Sequence, residues 1–251
     1  MRLLIDAGNS RLKWALSSGS QLQQGGSIDI AEIAQGGLES LFNGLGVLPG
    51  GVWVANVAGQ EMRRSLLAAA PGLPASAWHF QTSQARCMGL INGYRQPELL
   101  GVDRWLAMLA AFTRVAGAVC VMDAGTACTL DAVGSDGCHL GGVIVPGAGM
   151  MQASLRSDTR DIDLHARLSR GDDTGLFARS TAGAIASGSI HALAALAERG
   201  VNELARICGD APTLVLSGGD GDLLARHCQV DCIVVPELVL EGLNLIAENQ
   251  L

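Results

Sequence analysis

The sequence predicts an α/β protein of two domains related by an internal duplication. Strand-like segments alternate with segments of helical periodicity in both halves of the 251 residues. An Asp-Ala-Gly triplet follows an apolar, strand-like run in each half, at Asp6 and again at Asp123. Because 49% of the residues are hydrophobic, the chain can fill two cores. We expect mixed sheets flanked by helices in domains spanning 1–116 and 117–251.

The first half is predicted to open on a β-hairpin, because strand-like runs at 2–5 and 12–16 flank a polar, glycine-bearing turn. Glycine or proline then bounds most of the segments that follow. In chain order these are a helix at 30–42, a strand at 52–55, a helix at 61–70, a strand at 78–80, a loop at 89–101 and a helix at 103–115.

The second half repeats the opening, with strands predicted at 118–122 and 128–131 around a second polar turn. A third strand, 141–147, runs into a glycine-rich turn. The remaining segments are a helix at 150–156, a polar irregular stretch at 160–173, helices at 181–197 and 202–208, a strand at 213–216, a helix at 223–227, a strand at 233–235 and a helix at 241–248.

Charge and cysteine usage exclude several classes of function. The net charge of −7 argues against nucleic acid or an anionic membrane as the main partner. The opening apolar run stops at Asp6, too early for a signal peptide or a membrane span, and the seven cysteines contain no CxxC, so a cytoplasmic protein is expected. Cys228 and Cys232 beside His227 could bind a metal, but small apolar thiols near a buried strand are the favoured interpretation.

Two strand-terminal turns of the Asp-Ala-Gly kind suit a nucleoside triphosphate with Mg²⁺. Glycine lets backbone N–H groups approach phosphate oxygens, hydroxyl and amide groups donate further hydrogen bonds, and carboxylates hold the metal or its waters. A single Asp-x-Gly is also an ordinary turn, but the duplicated pair favours ATP binding. The residues predicted to contact ATP are Asp6, Gly8, Asn9, Ser10, Lys13, Gly125 and Thr126, with Asp6 and Asp123 organising Mg²⁺.

Three further segments leave alternatives open. The stretch 214–220 (LVLSGGD) is either a turn with a helix N-cap or a contact to adenosine through Gly218 and Gly219. The glycines of 141–149 let backbone approach a nucleotide or another helix. At 101–104, Asp103 is either a helix N-cap followed by a solvated Arg104, or a general base beside an arginine that holds an anionic or polar substrate.

These segments resemble the motifs of the type III pantothenate kinase family. Residues 6–13 (DAGNSRLK) are similar to its D-x-G-N-[ST]-x-x-K/R phosphate motif, 101–104 to its G-x-D-R motif, and 123–126 to its second D-x-G-T turn. The sequence departs from the family pattern at 54–58 and at Ser180, where many relatives have Asn. Other matches, in the same order along the chain, are Tyr94 and Pro97 ahead of Leu100-Gly101, Gly141-Gly142 with Pro146-Gly147, TAGAIASG at 181–188, LVLSGGD at 214–220 and EGLN at 241–244.

The resemblance implies ATP-dependent phosphorylation of pantothenate to 4′-phosphopantothenate, the first step of coenzyme A synthesis. It also implies two duplicated ribonuclease H-like, actin-like ATPase domains with a cleft between them, a homodimer, and activation by K⁺ or NH₄⁺. Asp103 would be the catalytic base. The residues that would line the pantothenate pocket are Tyr94, Gly101, Val102, Arg104 and Thr181.

Two rival functions remain. One is a non-catalytic regulator, since proteins resembling this family have been named as accessory factors in transcription; the acidic charge and the absence of a recognisable helix-turn-helix disfavour direct DNA binding. The other is a kinase of the same fold acting on a sugar, acetate or polyphosphate, because a fold does not fix a substrate. An ATPase assay with pantothenate separates the first rival from the kinase.

Overall fold

The computed structural model describes residues 1–157, 175–209 and 211–249. These residues form two compact units. The first comprises Met1–Met88, Tyr94–Ala110 and residues 238–249, and the second comprises Gly89–Gly93 and the described part of Ala111–Glu237. The helix predicted near the C-terminus therefore belongs to the first unit, whereas the sequence places it in the second domain. The domain boundary after residue 116 stays a prediction.

The first unit is built on a five-stranded mixed sheet in the spatial order β3-β2-β1-β4-β5. The first three strands are antiparallel neighbours, and β4 and β5 join β1 in parallel. Parallel strands need a crossover, which helices supply here. The strands of this sheet are β1 (Arg2–Ala7), β2 (Arg11–Ser18), β3 (Gln21–Asp29), β4 (Val52–Asn56) and β5 (Trp78–Phe80). The short strand β6 (Arg86–Cys87) lies outside it.

Helices cover this sheet and close its core. The helix from the end of the chain contacts β1 and β4. It also lies so close to α4 that a Cβ on Gly242 would clash with the Leu106 carbonyl, so glycine permits this approach. The core includes Leu3, Ile5 and Leu66, all fully buried. The helices are α1 (Ile30–Ile33), α2 (Gly37–Gly44), α3 (Gly59–Ala69), α4 (Val102–Arg114, in this unit as far as Ala110) and α8 (Leu238–Asn249), with 3₁₀ turns at Ala75–Ala77 and Pro97–Leu99.

The second unit repeats the sheet of the first, in the order β10-β9-β8-β11-β12. Its first three strands are again antiparallel and its last two again parallel. The predicted duplication is therefore present strand for strand. The strands of this sheet are β8 (Val119–Ala124), β9 (Ala127–Val133), β10 (His139–Pro146), β11 (Thr213–Ser217) and β12 (Cys232–Val234). The short strand β7 (Leu90–Ile91) precedes it in the chain and lies outside it.

The helices of the second unit are α5 (Ala148–Ser157), α6 (Thr181–Cys208) and α7 (Gly221–Ala225). The core between α6 and the sheet contains Leu193, Ala197 and Leu214, which are fully buried. Ser180 caps α6, because its hydroxyl accepts a hydrogen bond from the Gly183 N–H at 3.1 Å.

Three sequence-based element assignments are wrong, and one lies outside the described residues. The single helix predicted at 30–42 is two short helices separated at Gly36, whose φ of 88° interrupts helical geometry. The two helices predicted at 181–197 and 202–208 are one continuous helix. Strand β3 was not predicted at all. The polar stretch predicted at 160–173 falls outside the part of the chain that the structure describes.

In the described residues, we find no helix that combines the length and apolar character needed to cross a membrane.

Candidate active site

The first carboxylate turn follows strand β1. Asp6 is half-buried one residue before the strand ends, and its Cα partner on β2 is Lys13. The turn closes when the Gly8 N–H donates to the Arg11 carbonyl at 3.1 Å. Asn9 and Ser10 at the tip are exposed. The predicted phosphate-binding residues of the first half therefore lie in one hairpin, at the carboxyl end of β1, in the turn and at the start of β2.

The end of the neighbouring strand β4 lies beside this turn. The Val57 N–H donates to the Ala7 carbonyl at 3.1 Å, which ties the segment after β4 to the segment after β1. Together, residues 6–10, 13 and 56–59 are called the first corner below.

The start of helix α4 brings four of the predicted substrate and catalytic residues together. The helix begins at Val102, and the Gly101 carbonyl accepts its first hydrogen bond, from the Trp105 N–H at 3.0 Å. The Asp103 carboxylate accepts the Arg104 backbone N–H at 2.8 Å. Asp103 is thus the second helical residue, with a carboxylate oxygen facing Gly101, where an added Cβ would lie 2.6 Å from it. The interpretation of Asp103 as the N-cap is wrong.

Arg104 is buried, with 7% of its surface exposed, so the alternative of a solvated arginine is also wrong. Its guanidinium donates to the Tyr94 hydroxyl at 3.0 Å and lies 5.8 Å from the centre of that ring. A guanidinium held in this way has fewer conformations to lose when it binds an anion. The loop before the helix is fixed as well, because the buried Ser83 hydroxyl donates to the Leu100 carbonyl at 2.8 Å.

The second carboxylate turn follows strand β8 in the second unit. Asp123 is half-buried at the strand end, and the Gly125 N–H donates to the Ala127 carbonyl at 3.2 Å. The turn after β10 packs on it, because the Gly147 N–H donates to the Thr126 carbonyl at 2.9 Å. A Cβ on Gly147 would clash with the Gly125 carbonyl, so this approach requires glycine.

The turn after β11 completes this arrangement. Gly218 adopts a left-handed φ of 82°, and a Cβ there would clash with the Asp123 carboxylate and the Ala124 carbonyl. The Asp220 N–H donates to that same Ala124 carbonyl at 3.1 Å. Residues 123–126 and 217–220 are called the second corner below. Gly219, by contrast, has open space where a side chain would be.

The sequence analysis interpreted Asp220 as part of a turn with a helix N-cap and did not place it among the functional residues. Asp220 occupies the N-cap position of α7, but its side chain makes no capping hydrogen bond. Burial first, and then the negative charges of Asp123 and Asp220, raise the pKa of the Cys128 thiol to about 12. Both carboxylates therefore act on the same buried thiol. The only sequence signal was the Asp that ends LVLSGGD, which fits an N-cap equally well.

Thr181, predicted to line the substrate pocket, is the exposed first residue of α6. It borders a largely apolar cavity of about 750 Å³ between α5 and α6, together with Met150, Met151 and Ile185. It belongs to the second unit, whereas Tyr94 and Arg104 belong to the first. That the two corners face one nucleotide across a cleft stays a prediction.

The alternative metal site at Cys228 and Cys232 gains no support. Among the residues that the structure describes, no three His, Cys, Asp or Glu side chains are placed to hold a metal ion. Burial, followed by the neighbouring Cys232 and Glu198, raises the pKa of the Cys228 thiol to about 11. His227 packs edge-on against His191 with ring centres 5.0 Å apart. Both cysteines are partly buried and pack against the core cluster as small apolar side chains.

Solved structures share this fold. A Campylobacter jejuni protein described as a Baf family transcriptional activator has a TM-score of 0.58 at 22% identity, covering 99% of this chain and 98% of that one. A ROK family glucokinase from Streptomyces griseus has a TM-score of 0.52 at 9% identity, covering 98% of both chains. At these identities the likeness concerns the fold alone. The duplicated mixed sheets define an α/β protein of the actin-like ATPase and sugar-kinase class.

Sequence comparison identifies the family within that class. The family model for type III pantothenate kinase matches residues 2–203. The type III pantothenate kinase of Chromobacterium violaceum is 38% identical over 250 residues, covering 99% of this chain and all of the relative. That of Alcanivorax borkumensis is 34% identical over 250 residues and covers both chains completely. The chain belongs to the type III pantothenate kinase family.

Proposed function

We propose that this protein transfers the γ-phosphoryl group of ATP to the primary alcohol of pantothenate, giving 4′-phosphopantothenate for coenzyme A synthesis. The observation that carries the proposal is the buried Arg104, hydrogen-bonded to Tyr94 and adjacent to Asp103 at the start of α4. Pantothenate has a carboxylate and a primary alcohol. An arginine and a carboxylate in adjacent positions offer a partner for each.

The second corner fits a nucleotide because glycine at positions 125, 218 and 219 lets a phosphate group approach the backbone without meeting a side chain. Gly218 packs against the Asp123 carboxylate and the Ala124 carbonyl, and Gly219 has open space where a Cβ would lie. Phosphate groups are commonly bound by the backbone N–H groups of glycine-rich turns. Gly125, Thr126, Gly218 and Gly219 would contact ATP here.

The carboxylates fit a magnesium ion in the way that kinases use it. Mg²⁺ is usually held through one or two carboxylates and the substrate phosphates, so a cage of protein ligands is not required. Asp6 and Asp123 would supply these carboxylates, each half-buried at a strand end. When bound, the ion neutralises the charge that develops on the transferred phosphoryl group.

The chain itself orients the acceptor and removes its proton. Arg104, fixed by Tyr94, would bind the pantothenate carboxylate, with Gly101, Val102 and Thr181 lining the pocket. Asp103 would accept the proton of the attacking hydroxyl through the carboxylate oxygen that is not bonded to the Arg104 N–H. In the first corner, Asn9, Ser10 and Lys13 would donate to the phosphate oxygens, and Gly8, whose N–H is bonded to the Arg11 carbonyl, would let the phosphate approach the backbone closely. Phosphoryl transfer then requires mainly positioning and charge stabilisation.

The family membership also supports three finer proposals. The enzyme would act as a homodimer, would be activated by K⁺ or NH₄⁺, and would be cytoplasmic. All seven cysteines are free thiols, which suits a reducing compartment. Light scattering coupled to gel filtration tests the dimer, and replacement of K⁺ by Na⁺ tests the cation requirement.

A coupled assay of ADP formation over pantothenate, sugars and acetate, with and without K⁺, tests the function. We expect ADP release that depends on pantothenate, and 4′-phosphopantothenate as the product. A protein that turns over ATP equally with another acceptor would be a different kinase. A protein that releases no ADP with any acceptor would support the regulatory alternative.

A further inference from the structure

Asn56, at the end of β4, uses both ends of its side-chain amide within one turn. Its Oδ1 accepts the Ala58 backbone N–H at 3.0 Å, and its Nδ2 donates to the Gly59 carbonyl at 2.8 Å. Gly59 has a left-handed φ of 87°, so the turn has an unusual shape that backbone preferences alone do not favour. The amide closes this turn in place of a backbone hydrogen bond.

The turn that Asn56 closes supports the Asp6 segment directly. Asn56 is the Cα partner of Ala7 across the parallel pair β1 and β4, and the next residue, Val57, donates its N–H to the Ala7 carbonyl at 3.1 Å. Ala7 lies between the Asp6 carboxylate and Gly8. The backbone on which Asp6 and Gly8 depend is thus held by a hydrogen bond whose donor is fixed by Asn56.

In the second unit, the carbonyl that corresponds to that of Ala7 also accepts a hydrogen bond, but the turn that supplies the donor is closed differently. Ala55 pairs with Asp6 and Ser217 pairs with Asp123, so Gly218 corresponds to Asn56. In the second corner the Ala124 carbonyl, which corresponds to that of Ala7, accepts the Asp220 N–H at 3.1 Å. The second turn is closed by backbone, since the Gly221 N–H donates to the Gly218 carbonyl at 3.2 Å. The first turn depends on a side chain.

We propose that Asn56 is a positioning residue for ATP binding, which sets the backbone of Asp6 and Gly8 through the turn 56–59. This inference rests on the proposed function. This role differs from general stabilisation. The turn 56–59 is hydrogen-bonded to the end of β1, which carries Asp6, and none of the predicted pantothenate contacts lies in this turn.

The test compares Asn56→Ala with the wild-type protein. We expect the variant to raise the KM for ATP, and the Kd for MgATP measured by calorimetry, by about five- to ten-fold, because two hydrogen bonds that shape the turn are lost. The KM for pantothenate should change less than about two-fold. Asn56→Asp keeps the acceptor for the Ala58 N–H but places a negatively charged oxygen against the Gly59 carbonyl, so it should lower the ATP affinity at least as much as Asn56→Ala.

Asn244→Ala is the matched control. Asn244 is a buried asparagine in the same unit whose Nδ2 donates to the Gly19 carbonyl at 3.1 Å, at the opposite end of strand β2 from the first corner. The control should lower the melting temperature and leave the Kd for MgATP unchanged.

The possible results separate the inference from the proposed function. Unchanged MgATP affinity in Asn56→Ala overturns the positioning role, as does an equal rise in both KM values together with the same loss of melting temperature as the control. Wild-type protein that binds MgATP without phosphorylating pantothenate refutes the proposed function, while calorimetry still decides the role of Asn56. Wild-type protein that does not bind MgATP overturns both.

Discussion

The first and second corners have the same strand pairing and different turns. In both, a carboxylate near the end of a strand precedes a glycine turn, and the neighbouring parallel strand ends in register with it. The position that carries Asn56 in the first corner carries Gly218 in the second. The first corner is therefore shaped by a side-chain amide, and the second by close packing of backbone on backbone.

This difference shows what a duplicated fold can change without changing its topology. The absence of a side chain at Gly147 and Gly218 lets the turns after β10 and β11 pack directly on the Asp123 turn. Among the described residues, only the first unit has a buried arginine next to a carboxylate at the start of a helix, namely Arg104 and Asp103. We therefore propose that the first unit recognises the acceptor mainly through Arg104 and Asp103, and that the protein backbone of the second corner makes close contacts with ATP.

Asp103→Asn should have the largest effect and tests the assignment of the reaction to the first unit. The amide oxygen of Asn can still accept the Arg104 N–H, so the start of α4 should be retained. The amide cannot accept the proton of the alcohol, and kcat should fall by about 10²- to 10⁴-fold with little change in either KM. Steady-state kinetics with pantothenate as the acceptor measure this.

Asp136→Asn is the control for that substitution. Asp136 is an exposed carboxylate of the second unit that accepts a backbone N–H, from Cys138 at 3.0 Å, as Asp103 accepts one from Arg104. Its replacement should leave kcat unchanged. An Asp103→Asn enzyme with full turnover would refute the base assignment and the division of roles between the units.

Gly218→Ala tests whether the second corner depends on close backbone approach. The added Cβ would clash with the Asp123 carboxylate and the Ala124 carbonyl, and the φ of 82° is unfavourable for alanine. Displacement of the carboxylate by about 1 Å should reduce kcat/KM for ATP by about 100-fold.

Gly209→Ala separates the clash from the backbone strain. Gly209 has a similar φ of 75° at the end of α6, with open space where a Cβ would lie. It should lose about 1 kcal/mol of stability and no ATP affinity. Equal effects of the two substitutions on kcat/KM would mean that strain, and not crowding at Asp123, explains the Gly218 result.

The sequence predicts the duplicated strands well and the elements without hydrophobic patterning poorly. Strands such as β1 and β8 are apolar runs followed by Asp-Ala-Gly. This pattern can be recognised from the local sequence alone, without knowledge of tertiary contacts. Strand β3 is mostly exposed and contains Gly25 and Gly26, so it lacks both the alternation and the composition of a typical strand. It forms because β2 supplies a partner edge.

Gly200 lies between the two helices predicted at 181–197 and 202–208. The sequence suggests a break between two helices there, but the glycine lies inside α6, and an added Cβ would be 2.5 Å from the Leu130 side chain. The glycine permits close packing of the helix on the sheet, a tertiary reason that no local pattern reveals.

The candidate site was predicted to the level of residue clusters and not to the level of their partners. The helix start at Val102 and the burial of Arg104 exclude an N-cap at Asp103 and a solvated Arg104, while the roles of base and substrate contact stay predictions. Asn56 and Asp220 were not placed among the functional residues, because Asn and Asp are common at any strand end or helix start. Their hydrogen bonds depend on strand pairing between segments distant in the chain.

Arg104→Lys tests whether the first unit recognises the acceptor through a planar, preorganised cation. Lysine keeps the charge but cannot reproduce a two-pronged contact with a carboxylate. The KM for pantothenate should rise by about ten-fold while the KM for ATP stays within two-fold. Tyr94→Phe, which removes only the hydroxyl 3.0 Å from the guanidinium, should show a smaller rise in the same KM. A rise in the KM for ATP instead would place Arg104 at the nucleotide.

Lys13→Thr should have the smallest effect, and it makes the first corner resemble the second. Lys13 is the Cα partner of Asp6, and the residue paired in the same way with Asp123 is Thr129. Loss of one charge-assisted contact to phosphate, worth about 1 kcal/mol, should raise the KM for ATP about five-fold. Arg11→Gln removes an equal charge two residues away on β2, from an exposed ion pair with Asp29 at 2.9 Å, and should change that KM less than about two-fold. If the two variants behave alike, general surface charge explains the effect; if only Lys13→Thr weakens ATP binding, the first corner contributes a cation that the second lacks.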